Sequence, residues 1–223
     1  MLLSRSQESI DRAVKDLGPA ARGVAADMAY PGTAAQVAAA VDAEFGGKLD
    51  GVVINAGGPP PGKALDLSEE QWLGSYQLLI GGPLRLLQAL EPQLNDGGAI
   101  LFVTSTSVRQ PIPNLDTSNV LRPGVAALAK TLSRELAPRI RVNSLAPGRF
   151  NTDRIRALDA SRAQAQGITP QEAAAQASQE IPLGRYGEPI EFGRFGAFLL
   201  SPAASYISGL AAHADGAMTT ALP

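Results

Sequence analysis

Small polar residues and glycines recur in this chain at the ends of short apolar runs. They are Asn55-Ala56-Gly57, Thr104-Ser105, Pro147-Gly148 with Thr152 close behind, and Asp215-Gly216. Short apolar runs bounded in this way read as buried strands. Where such strands are parallel, their carboxyl ends form the edge at which open α/β sheets bind ligands. Taken singly, Asn-Ala-Gly is no more than a strand-to-loop turn. Four such segments, each ending its own strand, describe a binding edge. The segment Gly57-Gly58-Pro59-Pro60-Pro61-Gly62 is glycine-rich, but its consecutive prolines have no amide hydrogens to offer a phosphate. It reads as a stiff loop beside that edge. Absence of cysteine excludes thiol catalysis and disulfides, and no cluster has metal-ligand spacing. The one histidine, His213, falls in the last strand and reads as a hydrogen-bonded core or interface residue.

The elements that position these residues follow from hydrophobic patterning. Strands are expected at Leu2–Leu3, Gly23–Asp27, Leu49–Asn55, Ala99–Ser105, Ile140–Leu145 and Leu210–Asp215. Helices are expected at Gln7–Leu17, Thr33–Phe45, Ser68–Leu94, a stretch reaching Leu136, and Pro189–Leu200. Ser68-Glu69-Glu70-Gln71 forms a capping box, because serine accepts from a helix amide while glutamine reaches back to the serine amide. Leu121, Val125, Leu128, Leu132 and Leu136 recur at helical spacing and give their helix one buried stripe. Regular β-α-β alternation implies a doubly wound parallel sheet with helices on both faces. Residues 149–184 break that rhythm with two helical pieces joined at Gly167. They leave the sheet from a strand's carboxyl end, and read either as a flap covering a substrate or as a packing decoration.

At 223 residues, the whole chain, residues 1–223, reads as one large α/β domain with a sizeable core. With 45% hydrophobic residues, 18% charged residues and net charge −2, it has no basic surface for tracking nucleic acid or anionic lipid. No apolar run is long enough to span a bilayer, and residues 1–6 are too short for a signal peptide. A soluble cytoplasmic protein is expected.

Together these segments resemble the short-chain dehydrogenase/reductase family from Met1 almost to the end of the chain. The matching residues are Leu3-Ser4-Arg5-Ser6, Asp27, Asn55-Ala56-Gly57 and Ser105, then Arg141 through Gly148 and Ile181-Pro182-Leu183-Gly184-Arg185. Ser205-Tyr206-Ile207-Ser208-Gly209 and Asp215-Gly216 close the match. The resemblance implies a Rossmann-like fold with NAD(P)(H) across the carboxyl edge of the sheet. Asp27 would approach the adenine, and Asn55, Ala56 and Gly57 would line the ribose side. Pro147, Gly148 and Thr152 would hold the nicotinamide half. Arg5 stands where a cation favours a ribose 2′-phosphate, so NADP(H) is expected over NAD(H). The resemblance further implies a small carbonyl or alcohol substrate. It also implies a homodimer or homotetramer through the helices around Ser68–Leu94 and Ser118–Leu136.

The sequence departs from the family in two places. The family's first strand, glycine-rich turn and helix, roughly one βα unit of thirty residues, precede the point where this chain begins. That strand lies mid-sheet, so its loss should leave two unpaired edges. A start at an internal methionine, with the missing unit encoded upstream, is expected. An in-frame upstream extension lacking a strand, a glycine turn and a helix would count against this. The second departure is catalytic. Counting from Lys130, the family's tyrosine is Ser118 and its lysine Arg122; counting from Trp72, its asparagine is Leu79. Of the usual set only Ser105 remains. A serine hydroxyl is far less acidic than a phenol, and Arg122 keeps a charge without giving up its proton at ordinary pH. Ser118-Asn119 reads equally well as a helix cap, with Pro123 delaying or kinking that helix. Tyr76 and Tyr186 read mainly as packing residues with a possible second role as acids. Two functions follow: an NADP(H)-linked oxidoreductase using Ser105, Ser118 and Arg122, or a non-catalytic binder of dinucleotides or metabolites. A defective fragment of a longer reductase is a third reading.

Overall fold

Parallel strands with helical crossovers need the chain to return each time to the same edge, and that is the path it takes. The computed structural model describes residues 1–221. The elements are β1 (Leu2–Ser4), α1 (Gln7–Leu17), β2 (Gly23–Ala25), α2 (Thr33–Phe45), β3 (Leu49–Ile54), α3 (Glu69–Tyr76) and α4 (Gly82–Leu90). They continue as β4 (Leu94–Val103), α5 (Asp116–Glu135), β5 (Arg141–Pro147), α6 (Asp153–Gln166), α7 (Pro170–Gln179), α8 (Pro189–Leu200) and β6 (Ala211–Ala214). Among the described residues no helix is long and apolar enough to cross a membrane.

The sheet is in two pieces, β1-β2 and β3-β4-β5-β6, each wholly parallel. Among the described residues no ladder joins β1 to β3, so each has an edge without a pairing strand. Val53 of β3 is 48% exposed, a large apolar side chain left uncovered beside that break. The pieces share one core nonetheless. Val24 of β2 packs with Val37 and Val41 of α2, Val52 and Ile54 of β3, and Leu86 and Leu90 of α4.

Side chains alternate across a strand, so β4 serves both faces. Ile100 and Phe102 face this core, while Leu101 joins Leu145 and Leu199 beneath α8. Arg141 and Asn143 of β5 hold the last crossover. The Arg141 guanidinium donates to the carbonyls of Leu199 (2.8 Å), Leu200 and Ser201 (3.0 Å), satisfying the end of α8 where the helix dipole favours a cation. Asn143 donates to Ile207 O (3.0 Å) and accepts from Leu210 N (3.0 Å), which delivers the chain into β6.

Two helices differ from their expected form. The expected Ser68–Leu94 helix is four segments, the last a 3-10 turn over Glu91–Gln93, and Leu94 already begins β4. The Ser68–Gln71 capping box opens it as expected. Pro83 has no amide hydrogen, and the ladder adapts with a π-turn over Gln77–Gly81, in which Gly82 N–H donates to Gln77 O. A side chain on Gly82 would strike the Met28 carbonyl, so glycine lets this helix close on the loop after β2. α5 does not start late: it begins at Asp116 and runs through Pro123. Nor do Ser118 and Asn119 cap it, since Leu115 stands at the N-cap without a side-chain bond. Asn119 instead bonds both the N–H and C=O of Ile112 (2.9 Å each) and anchors the preceding loop.

Candidate functional site

The carboxyl ends of β3 and β4 meet the first turns of α5, and three serines gather there. Ser105 caps a short 3-10 turn over Thr106–Val108, its Oγ accepting from Ser107 N–H at 3.1 Å. Ser107 Oγ lies 3.2 Å from Ser118 Oγ, and both serines are buried. Ser105 and Ser118, named from sequence, are therefore joined through Ser107, which that reading passed over. Its only signal was its place as the fourth hydroxyl in the run Thr104-Ser105-Thr106-Ser107.

Arg122 lies one turn after Ser118 on the same face of α5 and is 7% exposed. Its Nη1 donates to Val103 O (3.1 Å) and Thr104 O (3.0 Å), and its Nη2 to Gly57 O (3.4 Å) and Ala56 O (3.5 Å). One planar fork thus ties the ends of β3 and β4. Burial lowers its pKa to about 10, with the neighbouring Arg154 adding to the effect. Leu79, at the family's asparagine position, is 1% exposed in the π-turn and belongs to the core.

The other sequence-assigned residues stand along the same edge. Arg5 follows β1 and is exposed. Asp27 is half-buried after β2, with Oδ1 accepting from Ala29 N–H (2.9 Å). Asn55 and Gly57 are exposed and Ala56 half-buried. A Cβ added to Gly57 would meet nothing within 4 Å, so the backbone there is open. Gly148 differs: an added Cβ would lie 2.6 Å from Asp215 Cα, so this glycine packs against the Asp215-Gly216 turn. Thr152 caps α6 by accepting from Ile155 N–H (3.4 Å). The proline loop is pinned to the start of α5: Thr117 Oγ1 donates to Pro60 O (3.2 Å), and Ala64 N–H donates to Asp116 Oδ2 (2.9 Å).

Helices α6 and α7 leave from the end of β5. Asp159 of α6, buried, accepts from Tyr186 Oη (2.9 Å) and Arg149 Nη1 (3.3 Å). Burial, then the hydrogen bond to Asp159, raises the Tyr186 pKa, which makes this phenol a weaker acid. Tyr76 is 42% exposed. His213 Nδ1 is 3.9 Å from Asp215 Oδ2, while its buried Nε2 has no hydrogen-bond partner among the described residues.

Comparison with known proteins agrees with this architecture. A family model described as enoyl-(acyl carrier protein) reductase matches residues 2–219. An uncharacterized oxidoreductase of Mycobacterium tuberculosis is 29% identical over 225 residues, covering 98% of this chain and 82% of its own. Human dehydrogenase/reductase SDR family member 4 is 32% identical over 214 residues, covering 92% and 73%. Among solved structures, L-sorbose reductase from Gluconobacter frateurii, complexed with NADPH and L-sorbose, superposes with TM-score 0.94 at 28% identity, covering 99% and 87%.

Proposed function

Since the chain belongs to the short-chain dehydrogenase/reductase family, we propose that it is an NADP(H)-linked oxidoreductase interconverting a small carbonyl compound and its alcohol. The observation that carries this reading is the gathering of three serines at the ends of the central strands, Ser105 held on the Ser107 amide and Ser107 hydroxyl to hydroxyl with Ser118, with the Arg122 cation one turn beyond. The residues present fit the two ends of such a cofactor. Arg5 and Asp27 follow the strands of the smaller sheet, and the open backbone at Gly57 follows β3. Thr152 opens the helix beside Pro147. When bound, the nicotinamide would supply or accept the hydride.

The protein's own part is to hold the substrate oxygen and manage its proton. Ser105 Oγ already accepts one hydrogen bond, from Ser107 N–H, so its hydroxyl proton remains to be donated to a carbonyl oxygen. Ser118 and Ser107 share a hydrogen bond along which a proton can pass. Arg122 places a fixed positive charge near the oxygen that becomes negative. Helices α6 and α7 would cover the substrate. Leu73 (55% exposed), Tyr76 and Val120 (59%) leave apolar area on α3 and α5, which supports a homo-oligomer through those helices.

A second reading, a binder without turnover, draws support from Arg122, whose terminal nitrogens are all engaged with backbone carbonyls. Titration with NADPH and with NADH, followed by cofactor fluorescence, comes first; tighter binding of NADPH is expected. Turnover on a panel of carbonyl compounds then separates the readings. Ser105→Ala should lower it ~100-fold or more, as loss of an oxygen-holding donor does. Unchanged turnover in that variant would refute the role of Ser105, and NADPH binding without any turnover would favour the binder.

A further inference from the structure

Arg154 stands in the first turn of α6 and is exposed; among the described residues it has no hydrogen bond or ion pair. The other two arginines of α6 do find carboxylates: Arg156 pairs with Asp153 (2.6 Å) and Arg162 with Glu180 (3.2 Å). The Arg154 guanidinium lies directly over Gly58. A Cβ built on Gly58 would come within 2.6 Å of the guanidinium carbon, and closer still to both terminal nitrogens. The glycine leaves room for this approach, and a Cβ there would push the guanidinium aside. On the same short segment, the Arg122 fork reaches the carbonyls of Ala56 and Gly57. Two guanidinium groups thus bracket residues 56–58, and among the described residues neither has a carboxylate within 4.0 Å.

Like charges brought together destabilise one another unless an anion lies between or beside them. The repulsion registers on the buried partner, since Arg154 helps to lower the Arg122 pKa. The amino terminus of α6 adds its own partial positive charge. We propose that Arg154, with Arg122 behind it, forms an anion subsite over Gly57–Gly58 that holds the phosphate or carboxylate group of a bound small molecule. This inference deepens the reductase reading. The anion comes either from the pyrophosphate of the dinucleotide or from an anionic substituent of the substrate.

The test is calorimetric titration of the full chain with inorganic pyrophosphate at low salt. Arg154→Gln and Gly58→Ala are compared with the wild type. Arg154 is exposed, so its replacement leaves the core intact, and Gly58→Ala displaces the guanidinium without removing its charge. Wild-type binding weakened roughly ten-fold or more in both variants is expected, the effect of losing a charge-assisted contact. No binding to the folded wild type, or equal binding by wild type and Arg154→Gln, overturns the inference. Competition identifies the source, and either result upholds the site. Displacement of pyrophosphate by NADPH assigns it to the dinucleotide, and independent binding assigns it to the substrate. Pyrophosphate binding that depends on Arg154 in a chain that ignores NADPH would sink the dinucleotide reading and leave the anion subsite standing. NADPH binding with pyrophosphate indifferent to Arg154 would do the reverse.

Discussion

Replacing Arg122 by methionine keeps much of the side chain's length and removes its charge and its fork. The two bonds from Nη1, at 3.0 and 3.1 Å, are made by an ionised donor. Such bonds contribute about 1.5–3 kcal/mol each. The two from Nη2 are longer, and they end on carbonyls of the half-buried Ala56 and the exposed Gly57, where water can replace them. Opposing these gains is the cost of burying the cation. Its pKa falls to about 10, well below the ordinary arginine value. A depression of that size corresponds to ~3 kcal/mol at neutral pH. The fork therefore wins by a narrow margin, and Arg122→Met should lose ~1–2 kcal/mol at pH 8.

The pH dependence separates the two opposing effects. Below pH 9 the arginine is protonated in both folded and unfolded chains, and the burial cost is constant. Above that, the folded chain releases the proton first, so the unfolded chain holds more protons and stability rises with pH. Near pH 10.5 the wild type should regain ~1 kcal/mol that the methionine variant has no group to regain. Urea unfolding of both proteins, followed by far-ultraviolet circular dichroism at pH 8 and pH 10.5, gives the two gaps by linear extrapolation. A gap that fails to widen refutes the burial cost. A variant as stable as the wild type at pH 8 refutes the view that Arg122 staples the strand ends.

Two further outcomes are expected. Asp159→Asn removes the buried charge that receives Tyr186 and Arg149, and should cost ~1–3 kcal/mol and loosen α6. Limited proteolysis should cut within 153–179 sooner, and Tyr186, its pKa raised by burial and by Asp159, should titrate lower than in the wild type; unchanged cleavage would remove the latch from the account. Glu191, held mainly by hydrogen bonds from Arg185 (2.8 Å), has its pKa lowered to about 2. Because the folded value lies below the unfolded one, its contribution is complete above the ordinary carboxylate range and is lost as pH falls through about 2. Carboxyl nuclear magnetic resonance should show that midpoint, moving upward in Arg185→Gln.

What could be read from sequence was governed by neighbours a few residues apart. Buried parallel strands show as apolar runs, so all the strands were found, with ends off by a few residues. The box at Ser68–Gln71 was found because it closes within one turn. Asn55 to Gly57 and Ser105 could be placed for the same reason, since a strand's end is a local event. The break between β1 and β3 followed from the family's strand order.

The tertiary structure decided everything that depends on register between distant segments. The π-turn at Gln77–Gly81 was hidden because its cause is local but its accommodation is the approach of Gly82 to the Met28 carbonyl. Arg122 could be placed on a helix facing the site, but not assigned its partners: they are carbonyls of β3 and β4, fixed only once the two strands are in register. The same holds for Ser107 against Ser118, Asp159 against Tyr186, and Arg154 against Gly58. Periodicity tells which face a residue occupies, because that depends on the backbone's own repeat. It carries no information about what another element brings to that face, and the chemistry of this site is made of such meetings.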